Sequence, residues 1–346
     1  MIRARPRSRP PRDRSPAGAP RPRPCGAPVL ALLLAATAPT FAQAPPTPRP
    51  ANDGTTADAV SDEEPGTERR GKDPAPDAVA RRLERERVDA DNPYLFTVHK
   101  RNYLLPISHT SSLNDDRYRE LAPELADELG NEEAQFQLSV KVRLNRDDLF
   151  LENDGVYFGF TVESWWQVYS KGVSSPFRET NYQPEVFYLA PLEREVLGGN
   201  LALGLGFEHQ SNGQIQGFSR SWNRVYAAAI YGRGHFVAAI RPWYRLPEDE
   251  KESPLDPEGD DNPDILDFYG HGEPTLGWRD SRRGYALKLH GNPSTGKGGG
   301  ELAVSFPAFG RFRGVVSYFN GYGDSLIDYD HFQQRLGVGI LLSNLF

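Results

Sequence analysis

Between Glu133 and Leu144 every second side chain is apolar: Ala134, Phe136, Leu138, Val140, Val142 and Leu144 share one face, and Glu133, Gln135, Gln137, Ser139, Lys141 and Arg143 share the other. Period-two alternation of this kind makes a strand with one greasy and one charged side. The pattern recurs. Val156, Phe158, Phe160, Val162, Trp166 and Val168 alternate with Tyr157, Thr161, Glu163, Gln167 and Tyr169. Leu302, Val304 and Phe306 alternate with Glu301, Ala303 and Ser305, and Leu336, Val338, Ile340, Leu342 and Phe346 with Arg335, Gly337, Gly339 and Leu341. A soluble sandwich also alternates, but its strands are usually about 5 or 6 residues long, whereas these segments run to about 9 to 13, the reach of a tilted strand across a bilayer. About twelve such segments follow Tyr94, an even number, as in bacterial single-chain barrels. The expected fold is all-β, a 12-stranded antiparallel transmembrane β-barrel over residues 92–346, closed by a terminal strand ending on Phe346.

Composition narrows the rest. No run of about 18 apolar residues exists, which excludes an ordinary transmembrane helix and leaves a barrel open. Residues 1–44 hold eight arginines and one acid, Asp13, a net +7, so the remainder of a chain whose total is −7 carries −14. A nucleic-acid partner is disfavoured by that balance. The single cysteine, Cys25, lies in the basic segment, so neither a disulfide nor a cysteine metal cluster is available to the rest. Val29–Ala36 is an apolar run after the arginines and before small-residue cleavage candidates at Ala42 and Ala44, which reads as a signal peptide over residues 1–44. Residues 45–91 are rich in Pro, Ala, Asp, Glu and Arg, cannot bury enough surface to order themselves, and are expected to be a disordered periplasmic linker.

Chemistry is expected on one strand. In Leu201–Ser211 the greasy face runs Leu201, Leu203, Leu205, Phe207 and then His209 and Ser211. Residues two apart on a strand have Cα atoms about 6.5 to 7 Å apart on the same side, near enough for the imidazole to accept the hydroxyl proton. A histidine and a serine facing lipid cost free energy unless paired. An interfacial polar pair at a strand end is the plain alternative, since His-x-Ser alone is a weak motif. The next strand puts Asn223, Val225, Ala227, Ala229 and Tyr231 on one face and Trp222, Arg224 and Tyr226 on the other. A hairpin through residues 212–221 therefore sets Asn223 beside His209, where its amide oxygen would accept the Nδ1 proton, as aspartate does in the serine-protease triad. Gly213 lets the backbone turn so that amide N–H groups face a developing oxyanion. Neither a G-x-S-x-G elbow nor an H-E-x-x-H zinc helix occurs, so a soluble α/β hydrolase or zinc peptidase is not expected.

The blocks Glu208–Gly213 (EHQSNG) and Ser219–Tyr226 (SRSWNRVY) resemble the signature of outer membrane phospholipase A. So do Ser164–Gln167 (SWWQ), Ser174–Tyr182, Arg241–Tyr244 (RPWY), Asp261–Asp264 (DNPD) and Gly321–Tyr329, in family order from about Asn92 to Phe346. The resemblance implies a 12-stranded barrel in the bacterial outer membrane that hydrolyses phospholipid acyl esters at sn-1 and sn-2, requires Ca2+ and acts as a homodimer. It implies Ser211 as nucleophile, His209 as general base and then acid, Asn223 as the orienting residue and the Gly213 N–H in the oxyanion hole. It places calcium ligands at Ser174 from the partner subunit, the Gln214 carbonyl, Ser219 and Asp261. Two positions depart from the family: Val162 stands where a polar residue usually pairs across the dimer, and Gln216 where an acid is expected.

With a periplasmic N-terminus, strand parity puts residues 170–180, 212–221 and 247–264 on the outer side together, and the calcium ligands offer the oxygens that a hard cation takes. The rivals are a lipid A deacylase, whose similar His-x-Ser-Asn pair is completed by a glutamate on a smaller barrel, and a non-enzymatic small porin. Lys288, His290, Arg311, Arg313 and Arg335 are expected in a charged network filling the lumen, which argues against a wide pore. His99, His109, His235, His271, His290 and His331 are scattered and lack metal-ligand spacing. Gly296–Gly300 reads as a hairpin turn, and the acidic stretch Glu248–Asp264 as solvated apart from Asp261.

Overall fold

The computed structural model describes Val79, Arg82 and residues 95–346 apart from 173, 193, 215, 254, 255, 257, 311 and 344–346. The proposed signal peptide, most of the linker, Arg311 and Phe346 lie outside the described residues. A two-residue strand, β1 (Thr97–Val98), pairs with β3. The remaining twelve strands form the barrel: β2 (Asn102–Thr110), β3 (Glu132–Arg143), β4 (Gly155–Trp166), β5 (Phe177–Pro191), β6 (Asn200–Ser211), β7 (Ser221–Arg233), β8 (Phe236–Arg245), β9 (Gly272–Arg279), β10 (Gly284–Asn292), β11 (Lys297–Pro307), β12 (Arg313–Gly321) and β13 (Gln333–Ser343). Each pairs antiparallel with its sequence neighbours, and β13 pairs with β2, so the sheet closes and leaves no edge. The twelve-stranded barrel read from the alternation is the fold.

The two faces fall as the alternation requires. Leu138 and Val140 of β3, Phe158 and Phe160 of β4, Leu203, Leu205 and Phe207 of β6, and Leu336 and Val338 of β13 are exposed on the outer wall. Their polar alternates, among them Gln135, Ser139, Lys141, Thr161, Glu208 and Arg335, are buried inside. These interior charges are paired. Glu208 meets Arg241 at 2.8 Å and Lys100 at 3.3 Å and also binds Arg224. Arg335 grips Asp324 with two nitrogens, at 2.8 and 2.7 Å, and Glu301 takes Arg101 and Ser317. His290 Nε2 donates to the Tyr322 carbonyl, 2.8 Å away, with its ring stacked on Tyr269. The lumen retains a cavity of about 280 Å³ among these groups.

Close packing requires small residues at particular points. A Cβ on Gly206 would lie 2.5 Å from the ring of Tyr226, so the glycine is what lets that tyrosine lie across β6 and reach Glu185 at 2.5 Å. At one end of the barrel a short helix, Ile265–Tyr269, and the segment around Leu326 fold inward. They pack Ile265, Phe268, Leu326 and Tyr329 against Trp222, Tyr226 and Trp243. At the other end the β3–β4 turn is organised by Asp154, which accepts from the backbone N–H groups of Leu149, Phe150 and Leu151 at 2.6, 2.8 and 2.9 Å. The described residues of the stretch expected as linker, Val79 and Arg82, are helical: Val79 is buried against Val237 on the inner wall, and Arg82 donates to the Val98 and His99 carbonyls.

Candidate active site

Strands β6 and β7 build the site. Their register pairs Phe207 with Val225, His209 with Asn223 and Ser211 with Ser221. Because Leu203, Leu205 and Phe207 face outward, period two carries His209 and Ser211 onto the same outer wall, where both are half-buried. The expected partnership forms: His209 Nδ1 lies 2.9 Å from Asn223 Oδ1. The carboxamide oxygen can only accept, so Nδ1 is the donor, and in the neutral ring Nε2 then carries the lone pair. Among the described residues Ser211 Oγ has no hydrogen-bond partner, so the hydroxyl-to-imidazole contact expected from the strand spacing is not made.

Immediately after Ser211 the chain turns on Asn212-Gly213. The Asn212 side chain holds the whole 212–220 connection: its Oδ1 accepts from the Arg220 N–H at 2.9 Å and the Gln214 N–H at 3.3 Å, while Nδ2 donates to the Phe218 carbonyl at 2.8 Å and to Glu179 at 3.2 Å. Gly213 has φ +62°, a left-handed conformation that costs a side chain strain, and a Cβ there would press on Tyr182 at 3.3 Å. The sequence reading singled out Gly213 and passed over Asn212, although Asn-Gly is a turn signal in its own right.

The expected calcium ligands are gathered in part. Ser219 Oγ donates to Asp261 Oδ2 at 2.7 Å, and Gln214 belongs to the same 212–220 turn. Ser174 sits exposed in the β4–β5 connection at the same end of the barrel. A hydroxyl, a backbone carbonyl and a carboxylate are the hard oxygen donors that calcium takes, so the residues fit such an ion. Asp261 Oδ1 is meanwhile held by Lys251 Nζ at 2.5 Å.

The acidic stretch 248–264 is not merely solvated, which corrects the sequence reading. Asp260 pairs with Arg245 at 2.5 Å, Asp264 accepts from the Tyr329 hydroxyl at 2.6 Å, and Glu248 Oε1 accepts from Asn223 Nδ2 at 3.0 Å. Burial pushes the Glu248 carboxyl above the usual glutamate value, with Asp260 adding to it. None of these contacts has a local signal, because each joins residues that only the folded connection brings together.

A closed twelve-stranded antiparallel barrel with an apolar outer wall and a charged interior has the build of an outer-membrane β-barrel, and one hairpin of this one carries a histidine, a serine and an asparagine on that wall. The family model described as Phospholipase A1 matches residues 79–342, and the chain belongs to that family. It is 39% identical to a putative phospholipase A1 of Neisseria meningitidis, over 71% of this chain and 65% of that protein, so it spans just under two thirds of that relative's length. It is 36% identical to phospholipase A1 of Klebsiella pneumoniae, over 75% of this chain and 86% of the relative. Among solved structures, outer membrane phospholipase A of Escherichia coli superposes with a TM-score of 0.69 at 33% identity, covering 76% of this chain and 98% of that one. An asparagine-to-alanine active-site mutant of the same enzyme matches equally, with a TM-score of 0.69. The Salmonella typhi outer membrane phospholipase, solved as a dimer with bound calcium, matches with a TM-score of 0.66 at 33% identity, covering 74% of this chain and 94% of that one.

Proposed function

We propose that this chain is a calcium-dependent phospholipase of the bacterial outer membrane that cleaves acyl esters at the sn-1 and sn-2 positions, with Ser211 as nucleophile. The observation that carries the reading is the 2.9 Å contact between His209 Nδ1 and Asn223 Oδ1 on the lipid-facing wall, two residues from Ser211. A phospholipid lying against that wall brings its ester to the site without leaving the membrane boundary. Ser211 Oγ attacks the carbonyl carbon while His209 Nε2 takes its proton. The tetrahedral oxyanion is met by the Gly213 N–H, and losing such a donor typically costs about 2.7 to 4 kcal/mol. Collapse breaks the ester bond, and His209 returns the proton to the departing lysophospholipid alkoxide. Water then attacks the acyl-Ser211 ester with His209 again as base, releasing a fatty acid and regenerating the hydroxyl.

Calcium would be held by the Gln214 carbonyl, Ser219 and Asp261, with Ser174 supplied by the partner subunit, and Lys251 is the cation it would replace on Asp261. When bound it supplies Lewis-acid stabilisation of negative charge beside the oxyanion site. The relative solved as a calcium-bound dimer supports both the ion and a homodimer as the active form. Strand parity supports a site on the outer-leaflet side. The lipid A deacylase reading is disfavoured because the ring of His209 meets an amide and the barrel has twelve strands.

The test is Ser211→Ala, assayed for fatty-acid release from phosphatidylcholine in detergent micelles with calcium and with chelator. At least about a 10³-fold loss is expected in a protein that still folds. Release at the parent rate would overturn the assignment.

A further inference from the structure

The Asn223 carboxamide has two ends, and both are engaged. Oδ1 faces His209 Nδ1 at 2.9 Å, and Nδ2 donates to Glu248 Oε1 at 3.0 Å. An ionised carboxylate accepts hydrogen bonds and cannot donate them. Turning the amide over would set Oδ1 against that carboxylate and present an NH2 to Nδ1, so Glu248 favours the orientation in which the oxygen meets the ring. The ring nitrogen facing Oδ1 must then carry the proton, and Nε2 is left as the base. A neutral amide stabilises imidazolium less than a carboxylate does, and Glu248 brings the missing negative charge one hydrogen bond further back. The other charges facing Glu248 are engaged elsewhere: Arg245 with Asp260 at 2.5 Å, and Asp261 with Lys251 at 2.5 Å.

We propose that Glu248 is a positioning residue for the reaction. It acts through Asn223 to hold His209 in its working tautomer and to supply the charge that stabilises the imidazolium, dividing between two side chains the task that one aspartate performs in a serine-protease triad. The inference rests on the reading of Ser211, His209 and Asn223 given above. Glu248 lies in the long connection between β8 and β9, so the orientation of a residue on the barrel wall depends on how that connection folds back over it.

The experiment uses the full chain in detergent micelles with calcium and measures kcat, KM and the pH profile of kcat/KM. Glu248→Ala is expected to lower kcat by about 10- to 100-fold, the usual cost of an outer partner of a reacting group, with KM little changed. Its acidic limb should move to lower pH, because removing a nearby negative charge lowers the imidazole pKa. Glu248→Gln keeps an accepting oxygen without the charge. It should recover only part of the rate while its acidic limb stays shifted, a split that a purely structural role would not produce. In an Asn223→Ala background, Glu248→Ala should cause no further loss. A Glu248→Ala enzyme within about twofold of the parent with an unmoved limb, or losses that multiply in the double variant, would overturn the proposal. Ser211→Ala run alongside separates the two readings. If it stays active, the triad itself is wrong. If it is inactive while Glu248→Ala behaves as the parent, only the role of Glu248 falls.

Discussion

His209 and Ser211 interrupt an outward row of Leu203, Leu205 and Phe207, on a wall where unpaired polar groups are costly. The partner that makes the histidine tolerable there, Asn223, is also the one that sets its tautomer. A hydrogen bond to a charged group contributes about 1.5 to 3 kcal/mol, so Asn223→Ala should lower kcat by about 10- to 150-fold and leave KM nearly unchanged, as steady-state kinetics in micelles would show. Gly213 is constrained twice, by φ +62° and by Tyr182 at 3.3 Å from where a Cβ would lie. Gly213→Ala should therefore destabilise the turn by about 1 to 2 kcal/mol and, by displacing the N–H, cut kcat by about 10² or more. Thermal unfolding and initial rates measure the two effects separately.

At the scale of the element, each strand answers to two solvents. In the middle of β6, Leu205 is exposed toward lipid while Glu208 is buried in the lumen. Leu205→Arg should cost about 2 to 4 kcal/mol in an unfolding titration from lipid vesicles, less if the residue lies nearer the interface than the midplane. The turns answer to water. Burial alone would raise the Asp154 carboxyl, but three backbone N–H donors and the Tyr188 hydroxyl outweigh it and hold the group well below the ordinary aspartate value. A depressed carboxylate lends stability above its unfolded pKa of about 3.9 and loses it as pH falls through the folded value. Asp154→Asn should accordingly lower the unfolding midpoint at neutral pH, and the gap from the parent should narrow steadily as the solution is acidified below about pH 4.

Over the whole molecule, the lumen is held by opposite charges rather than by an apolar core. Glu208 serves Arg224, Arg241 and Lys100 together, so Glu208→Leu strands several buried cations and should cost about 3 to 5 kcal/mol, visible as a lower midpoint in heat-dependent gel mobility. With that network intact, a planar bilayer holding the protein should show no steady open-channel conductance. Val162 is paired with Leu138 and Tyr182 on the outer wall, so any association through this face leans on apolar packing.

Period two was legible because it is a local property: alternation, segment length and strand count can be read from neighbours in the chain, and the closed barrel, the polar lumen and the outward placement of His209 and Ser211 all follow from it. The pairing of His209 with Asn223 was legible for the same reason, since one hairpin fixes the register between adjacent strands. The amide of Asn223 held by Glu248, the contact of Lys251 with Asp261 and the Asp260–Arg245 pair were not, because they depend on how a connection of more than twenty residues folds back over the barrel wall. Alternation and register are set by backbone geometry that repeats every residue, whereas the conformation of a long connection is set by the sum of its contacts with surfaces made elsewhere in the chain. Those contacts exist only once the barrel has closed.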